Sequence, residues 1–315
     1  MPISSLFEIG ARILRRHVRT LLAVAILVQL PGAILDAIAQ QRLAESVSPL
    51  LVGLDTDSPQ VLTPTDSQTA SILGALLLVG AAMLLSMIVG AIATIAYATV
   101  VSNDYHATSS NLRELLRLAA RRAVAAVAAA ILASLAVMGV IAATAALAIA
   151  SMVLLPSGAA DSGGLGVFLA LVVGVGGALI AVTILVRLCL ATITVAIEGV
   201  GPVTAIRRSW HLTGSNTWRT LIVLVLVAFI VGILASLVAQ LLGVVFTDTI
   251  GQRAGVATQM DTFIAAAVSV LFAPVTIVIQ TVLYLDLRVR RDGWDLPPVP
   301  SSADGPHDDS PAIAG

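Results

Sequence analysis

The chain has 315 residues, of which 58% are hydrophobic and only 11% are charged, and its net charge at neutral pH is −1. Soluble domains carry about 25% charged residues, so this composition excludes an ordinary soluble domain and predicts an all-α protein that crosses a membrane several times. The single cysteine, Cys189, excludes a disulfide framework, and the four histidines are too scattered along the sequence to suggest a metal site.

The first predicted element is a basic amphipathic helix over residues 5–19. Leu6 and Ile13 fall on its apolar side, whereas Arg12 and Arg15 fall on its polar side. A basic amphipathic helix that leads into a membrane span is expected to lie in the plane of the lipid headgroups.

Six apolar segments are each long enough to cross a hydrocarbon core about 30 Å thick, at about 1.5 Å per residue. Their approximate bounds are residues 20–39, 72–100, 124–153, 166–190, 220–244 and 263–285. The stretch between the first two spans, residues 40–71, is rich in Ser, Thr, Asp and Pro and is predicted to be an outer loop. The fourth apolar run continues almost to Glu198, which predicts a helix that tilts or extends beyond the membrane surface.

Two further basic amphipathic helices are predicted, at residues 111–122 and 202–213. Asn111 is the expected cap of the first of them. Pro202 is expected to begin the second and Gly214 to end it, with Val203 and Trp210 on the side opposite Arg207. Residues 1–296 are therefore expected to form one six-span membrane domain, and the Pro-, Ser- and Asp-rich residues 297–315 to be a disordered cytoplasmic tail.

The short helices begin near residues 5, 110 and 202, and two spans follow each of them. A period of roughly 100 residues is compatible with three copies of a helical hairpin. The alternative is that loops and spans alternate by chance.

All 17 basic residues are arginine, and they cluster in alternate gaps between the spans. Fourteen fall on one side of the predicted membrane, against Arg42 and Arg253 on the other side and Arg187 inside a span. The positive-inside bias therefore predicts that both termini are cytoplasmic. Arginine without lysine is typical of a GC-rich bacterium, so the expected location is the inner (cell) membrane.

Two segments carry a resemblance to a known family. The end of span four reads VRLCLATITVAIEGVGPVTAIRRSWHLTGSNTWRTL, and the end of span six reads LYLDLRVRRDGWDLP. Together they resemble the membrane-domain family named after its occurrence in glycerophosphoryl diester phosphodiesterases. The matching positions are Arg187, Glu198, Arg208 to Thr213, and Tyr284 to Arg288.

The resemblance is best in the C-terminal half and extends to the N-terminal half by topology alone. In the phosphodiesterases, catalysis belongs to a separate soluble domain of well over 200 residues, and no soluble segment of this chain is nearly that long. The resemblance therefore implies a six-helix membrane module, of the kind found in many stand-alone bacterial proteins, and it implies no hydrolysis.

Arg187 is the most unusual charge, because it lies inside an apolar run toward the cytoplasmic half of its span. Such a charge needs a partner, a cavity or a route by which the side chain reaches the surface. Asp286, at the inner end of span six, is the expected protein partner, and a bound lipid phosphate or a snorkelling side chain are the alternatives. The candidate lipid, anion or structural charge site comprises Arg187, Glu198, Arg207, Arg208, Asp286 and Arg288.

Aromatic residues also gather at the predicted cytoplasmic boundary, where their amphipathic rings anchor membrane proteins. The expected anchors are Trp210, Trp218, Tyr284 and Trp294.

The sequence contains no Gly-rich phosphate loop, metal-spaced His/Glu pair, nucleophile elbow or acid pair, so we expect neither an enzyme nor a bound cofactor. The leading hypothesis is a non-enzymatic integral membrane scaffold or accessory protein. Its basic helices would bind anionic lipids or a membrane or cytoplasmic protein, and no nucleic acid. The alternative is a transporter or carrier of an amphiphile or small anionic solute, with Arg187 as the anion contact.

Overall fold

The computed structural model describes residues 3–52, 66–106, 112–154, 162–214, 216–250 and 254–292. These residues are helical almost throughout and contain no strand. The helices are α1 (Ile3–Val24), α2 (Leu30–Val52), α3 (Asp66–Tyr105), α4 (Leu112–Leu154), α5 (Ser162–Leu188), α6 (Ala191–Glu198), α7 (Pro202–Gly214), α8 (Thr217–Ile250) and α9 (Ala254–Asp292). A π-helical stretch, Ala25–Gln29, joins α1 to α2.

Six helical segments are long and apolar enough to cross a membrane. They are Ser4–Ser48, Ser67–Tyr105, Leu112–Ser151, Phe168–Glu198, Thr217–Phe246 and Met260–Arg291. Each overlaps one predicted span, so the all-α, six-span fold is confirmed. The predicted tail lies outside the described residues.

The helix of the first span is longer than predicted at its far end. It continues through Val52, so the expected loop from residue 40 is wrong for residues 40–52. Residues 40–45, which read Gln-Gln-Arg-Leu-Ala-Glu, all favour helices. Gln41 also donates a hydrogen bond of 3.0 Å to Glu45, and Arg42 lies 3.8 Å from the same carboxylate, so contacts between adjacent turns support the helix.

The first helix is interrupted in two places. His17 has non-helical backbone angles (φ −111°, ψ 18°), which places a kink between the basic leader and the span. Further along, the amide of Leu30 bonds to the carbonyl of Ala25, five residues back rather than four. This π-helical widening comes directly before Pro31, which has no N–H with which to continue the α-helical ladder.

The second predicted basic helix does not form a separate element. Residues 112–122 continue without a break into span three as α4. Neither Pro nor Gly separates Arg122 from Val124, so nothing in the sequence stops the helix there. Asn111, the predicted cap, lies outside the described residues.

The long apolar run of span four is not one uninterrupted helix. It breaks at Cys189 and Leu190, which lie between α5 and α6. Helix α6 is then buried in the bundle, with Ile193 and Val195 inaccessible to solvent. The prediction of a single long helix is therefore wrong, and α6 packs against α3 and α4.

Each predicted hairpin packs its two spans together: α2 on α3, α4 on α5, and α8 on α9. Whether the three hairpins are copies of one another stays a prediction. Helix α1 packs on α9, and its Leu6 and Ile13 join the buried core, so protein rather than lipid covers much of its apolar side. By contrast, α4, α5 and α8 expose many large apolar side chains, which suits surfaces that face lipid.

Candidate functional site at the basic end of the bundle

The polar side chains converge at one end of the bundle, where α6, α7 and the C-terminal part of α9 meet the first turns of α4 and α8. We call this the basic end. Glu198, the last residue of α6, is at its centre. Its Oε1 accepts hydrogen bonds from the Tyr284 hydroxyl at 2.6 Å and from Arg208 Nε at 3.3 Å, and Arg288 Nε lies 3.7 Å away. Three predicted site residues, Glu198, Arg208 and Arg288, therefore do come together.

The local sequence explains how α7 returns beside α6. Gly199 ends α6 in the left-handed conformation (φ +66°), and its amide bonds to the carbonyl of Val195 at 3.0 Å. Helix α7 then begins at Pro202 and ends at Gly214, as predicted. This reversal brings Arg208 to the carboxylate of Glu198, ten residues earlier in the chain.

Arg122 belongs to this cluster, although the sequence pointed only to its role in topology. Its guanidinium donates to the carbonyl of Ala196 in the last turn of α6, where a positive charge also complements the helix dipole. Glycine is favoured at position 199 because of its positive φ, and a Cβ there would also lie 3.0 Å from the Arg122 guanidinium, which would have to shift.

We expect Gly199→Ala to destabilise the protein by about 1–3 kcal/mol, because alanine is strained at positive φ and would push against Arg122. Gly201→Ala is the matched control, since a Cβ there meets nothing within 4 Å. The measurement is the thermal unfolding midpoint of both variants in the same detergent. Equal midpoints for the two variants would contradict this account of Gly199.

Asp286 has different partners from the one we predicted. Its carboxylate lies 3.0 Å from Arg219 and accepts two hydrogen bonds from Arg290 Nε, at 3.1 and 3.2 Å. The expected pairing with Arg187 is therefore wrong. The Asp286–Arg290 contact has the i, i+4 spacing of helix pairs and was visible in the sequence, whereas Arg219 comes from another helix and was not.

Arg187 lies in the last turn of α5. Its guanidinium carbon is 4.7 Å from the centroid of the Trp210 ring, which is a cation–π contact. Its Nε is buried and has no hydrogen-bond partner among the described residues. The backbone of the same residue is engaged, because the Ser209 hydroxyl donates to the Arg187 carbonyl at 2.7 Å.

The aromatic anchors divide into two kinds. Trp210 and Trp218 are 42% and 73% exposed, as anchors should be, while Trp294 lies outside the described residues. Tyr284 is fully buried and bonded to Glu198, so its assignment as a surface anchor is wrong. A buried tyrosine needs a partner for its hydroxyl, and Glu198 supplies it.

The side of helix α7 that packs against the core is not the apolar side that the sequence predicts. Ser209 and Leu212 are buried, whereas Val203 and Trp210, the predicted apolar side, are exposed. Arg207 is exposed too, so the structure does not bring it into the Glu198 cluster. A helix with an exposed apolar side at the edge of a membrane protein is suited to lipid contact.

A second polar contact ties the kink in α1 to the end of α3. His17 Nε2 lies 2.9 Å and Arg16 lies 3.2 Å from the carboxylate of Asp104. The carboxylates of Asp104, Glu198 and Asp286 are thus held by arginine or histidine side chains. Within the described ranges no three His, Cys, Asp or Glu side chains group to hold a metal ion, and the arrangement is that of a fixed ion-pair network joining helix ends.

The other end of the bundle carries an acidic groove. It has a volume of about 590 Å³ and lies between α2 and α9, where Asp36 and Asp261 line it. Ser86 donates a hydrogen bond to Asp36. Asp261 precedes Asp286 by about 25 residues on α9, or about 37 Å along a helix, so the groove is on the far side of the predicted membrane.

One family matches the chain, and it covers residues 1–287. Its description is a domain of unknown function, so the resemblance to the membrane domain of the phosphodiesterases stays an expectation. Comparison with curated proteins and with solved structures found no match. This six-span chain with its arginine–carboxylate network belongs to the family described as domain of unknown function DUF7847.

Proposed function

We propose that this integral membrane protein is a non-enzymatic scaffold or accessory module whose basic end binds the headgroups of anionic lipids. The six apolar helices support only the statement that the protein crosses the membrane several times. The lipid-binding role is supported by one observation, which is the contrast between two sets of arginines at the basic end.

The first set is paired with carboxylates of the protein. Arg208 and Arg288 share the carboxylate of Glu198, and Arg219 and Arg290 share that of Asp286. The two carboxylates are more buried than their arginine partners, and buried charges need such compensation.

The second set points outward. Its members are exposed and make no ion pair with any acidic residue that the structure describes. They are Arg15, Arg19, Arg117, Arg121 and Arg207. An arginine near an anionic membrane surface contributes about 1 kcal/mol to the attraction, so five of them would attract anionic headgroups strongly.

The predicted topology is consistent with this role. If the positive-inside bias applies, the basic end and both termini face the cytoplasm, where the leaflet is rich in anionic lipid. A cytoplasmic or membrane protein with an acidic surface is the other partner that the same arginines would suit.

The test replaces the five outward arginines with glutamine in the full chain. We expect the purified variant to retain markedly less anionic lipid in mild detergent and the same amount of zwitterionic lipid, as measured by quantitative lipid mass spectrometry. Nine of the fourteen arginines on that side remain, so the orientation should be preserved.

The matched control replaces the same five positions with lysine, which keeps the charge and should keep the lipid. An unchanged anionic lipid content in the glutamine variant, or an equal loss of both lipid classes, would count against the proposal. Cysteine labelling of both variants verifies that the topology is the same.

The carrier hypothesis ranks second. The acidic groove with Asp36 and Asp261 offers a binding space for an amphiphile, but its negative charge is unsuited to a small anionic solute. Arg187, the expected anion contact, is in the last turn of α5 at the opposite end of the bundle.

A further inference from the structure

We infer that Arg187 and Trp210 form a discrete site for the phosphate group of one anionic phospholipid, distinct from the diffuse attraction of the outward arginines. This inference rests on the proposed function, because it names one particular site within the lipid-binding end. The ligand chemistry is a phosphodiester held by a guanidinium.

Arg187 lacks a counter-charge among the residues that the structure describes. Asp286, the partner that the sequence predicts for Arg187, instead forms ion pairs with Arg219 and Arg290. Among the described residues Arg187 makes no ion pair, and its contact is the face of the Trp210 ring. A partly buried charge without compensation is costly, so a bound anion would stabilise the folded protein.

Packing also leaves the guanidinium available. The link from α5 to α7 at this point is already made by the Arg187 carbonyl and the Ser209 hydroxyl. The guanidinium carbon lies 4.7 Å from the centroid of the Trp210 ring, and the Nε is buried, so the two terminal NH2 groups are the donors that remain for an anion. The planar guanidinium can offer these two groups to the oxygens of a phosphate.

An exposed apolar surface lies beside Arg187. Val203 and Trp210 are seven residues apart, on one exposed side of α7. Ile180 and Thr183 precede Arg187 by seven and four residues on the same side of α5, and both are exposed. Acyl chains could therefore lie along α5 and α7 while the phosphate meets Arg187, which favours a lipid over a free anion.

The experiment titrates the full-length protein in mild detergent with phosphatidylglycerol and counts bound lipids by native mass spectrometry. Arg187→Gln should weaken binding of the tightest lipid by about tenfold or more, the usual effect of losing a charged hydrogen bond. Arg187→Lys should lose part of this affinity, because lysine keeps the charge but not the planar fork. Arg42→Gln, an exposed arginine elsewhere in the chain, should leave that affinity unchanged.

The variant that lacks the five outward arginines separates this inference from the proposed function. It should keep the tight lipid and lose the weaker ones, the reverse of Arg187→Gln. If Arg187→Gln keeps the tight lipid while the five-arginine variant loses its lipids, the discrete site is refuted and the proposed function stands. If neither variant loses lipid, both are wrong.

Two further measurements do not depend on the folding of an Arg187 variant. In a protein with Trp218→Phe and Trp294→Phe, the emission of Trp210 should change on addition of phosphatidylglycerol and not of phosphatidylcholine. An unchanged emission would overturn the site. Inorganic phosphate at millimolar concentration should not displace the lipid, and displacement would show that the site takes a free anion instead.

Discussion

Replacing Glu198 with alanine should lower the free energy of unfolding by about 3 kcal/mol, more than most single substitutions in this chain. The change removes the carboxylate that Arg208 and Arg288 share, and it leaves the buried hydroxyl of Tyr284 without its acceptor. Two partly buried positive charges would then repel each other where three helices meet. In a protein of this size the thermal midpoint should fall by about 5 °C.

The control for this prediction is Glu8→Ala. Glu8 also pairs with an arginine of the basic end, Arg12 at 3.2 Å, but both side chains are largely exposed. Such a pair contributes under about 0.5 kcal/mol, so its midpoint should barely move. Both variants are heated at one fixed rate in the same detergent, because membrane proteins often unfold irreversibly. Similar shifts for the two variants would mean that the Glu198 network does not hold the helices together.

Asp286→Ala should also destabilise the protein by about 3 kcal/mol, since Asp286 is 6% exposed and its loss leaves Arg219 with a charge that the carboxylate had balanced. The partner is identified by double-mutant cycles. Asp286→Ala with Arg219→Ala should show a coupling energy of about 1–3 kcal/mol. Asp286→Ala with Arg187→Ala should be additive within about 0.5 kcal/mol, because the two side chains do not meet.

The outcome that would contradict the structure is a larger coupling for Arg187 than for Arg219. The pairing of Arg187 with Asp286 that the sequence predicts would then be right. Unfolding midpoints of the single and double variants, measured under one set of conditions, decide between the two.

Several features of the fold could be predicted from local sequence. The six spans follow from the length of the apolar runs, and the bounds of α7 follow from Pro202 and Gly214, whose backbone preferences act within a turn. The break between α5 and α6 was harder to predict. Cys189 and Leu190 interrupt an apolar run with no Pro or Gly, so nothing local marks the turn between α5 and α6.

The composition of the candidate site was likewise easier to predict than its contacts. Glu198, Arg208, Arg288 and Asp286 all proved to be in ion pairs at the basic end. Tyr284 was assigned to the surface because tyrosines near a boundary usually face it, but the rotation of α9 turns this one into the core. Only the i, i+4 pair of Asp286 with Arg290 could have been assigned from spacing.

The sequence by itself determined the helical class, the six spans and the accumulation of arginine at one end, because hydrophobic length and charge placement are properties of contiguous residues. The tertiary structure alone decided that α6 turns into the core, that Arg219 rather than Arg187 meets Asp286, and that Arg187 stacks on Trp210. These contacts join residues on different helices. They depend on how each helix is rotated about its axis and where the chain reverses, and no spacing along the sequence encodes that rotation.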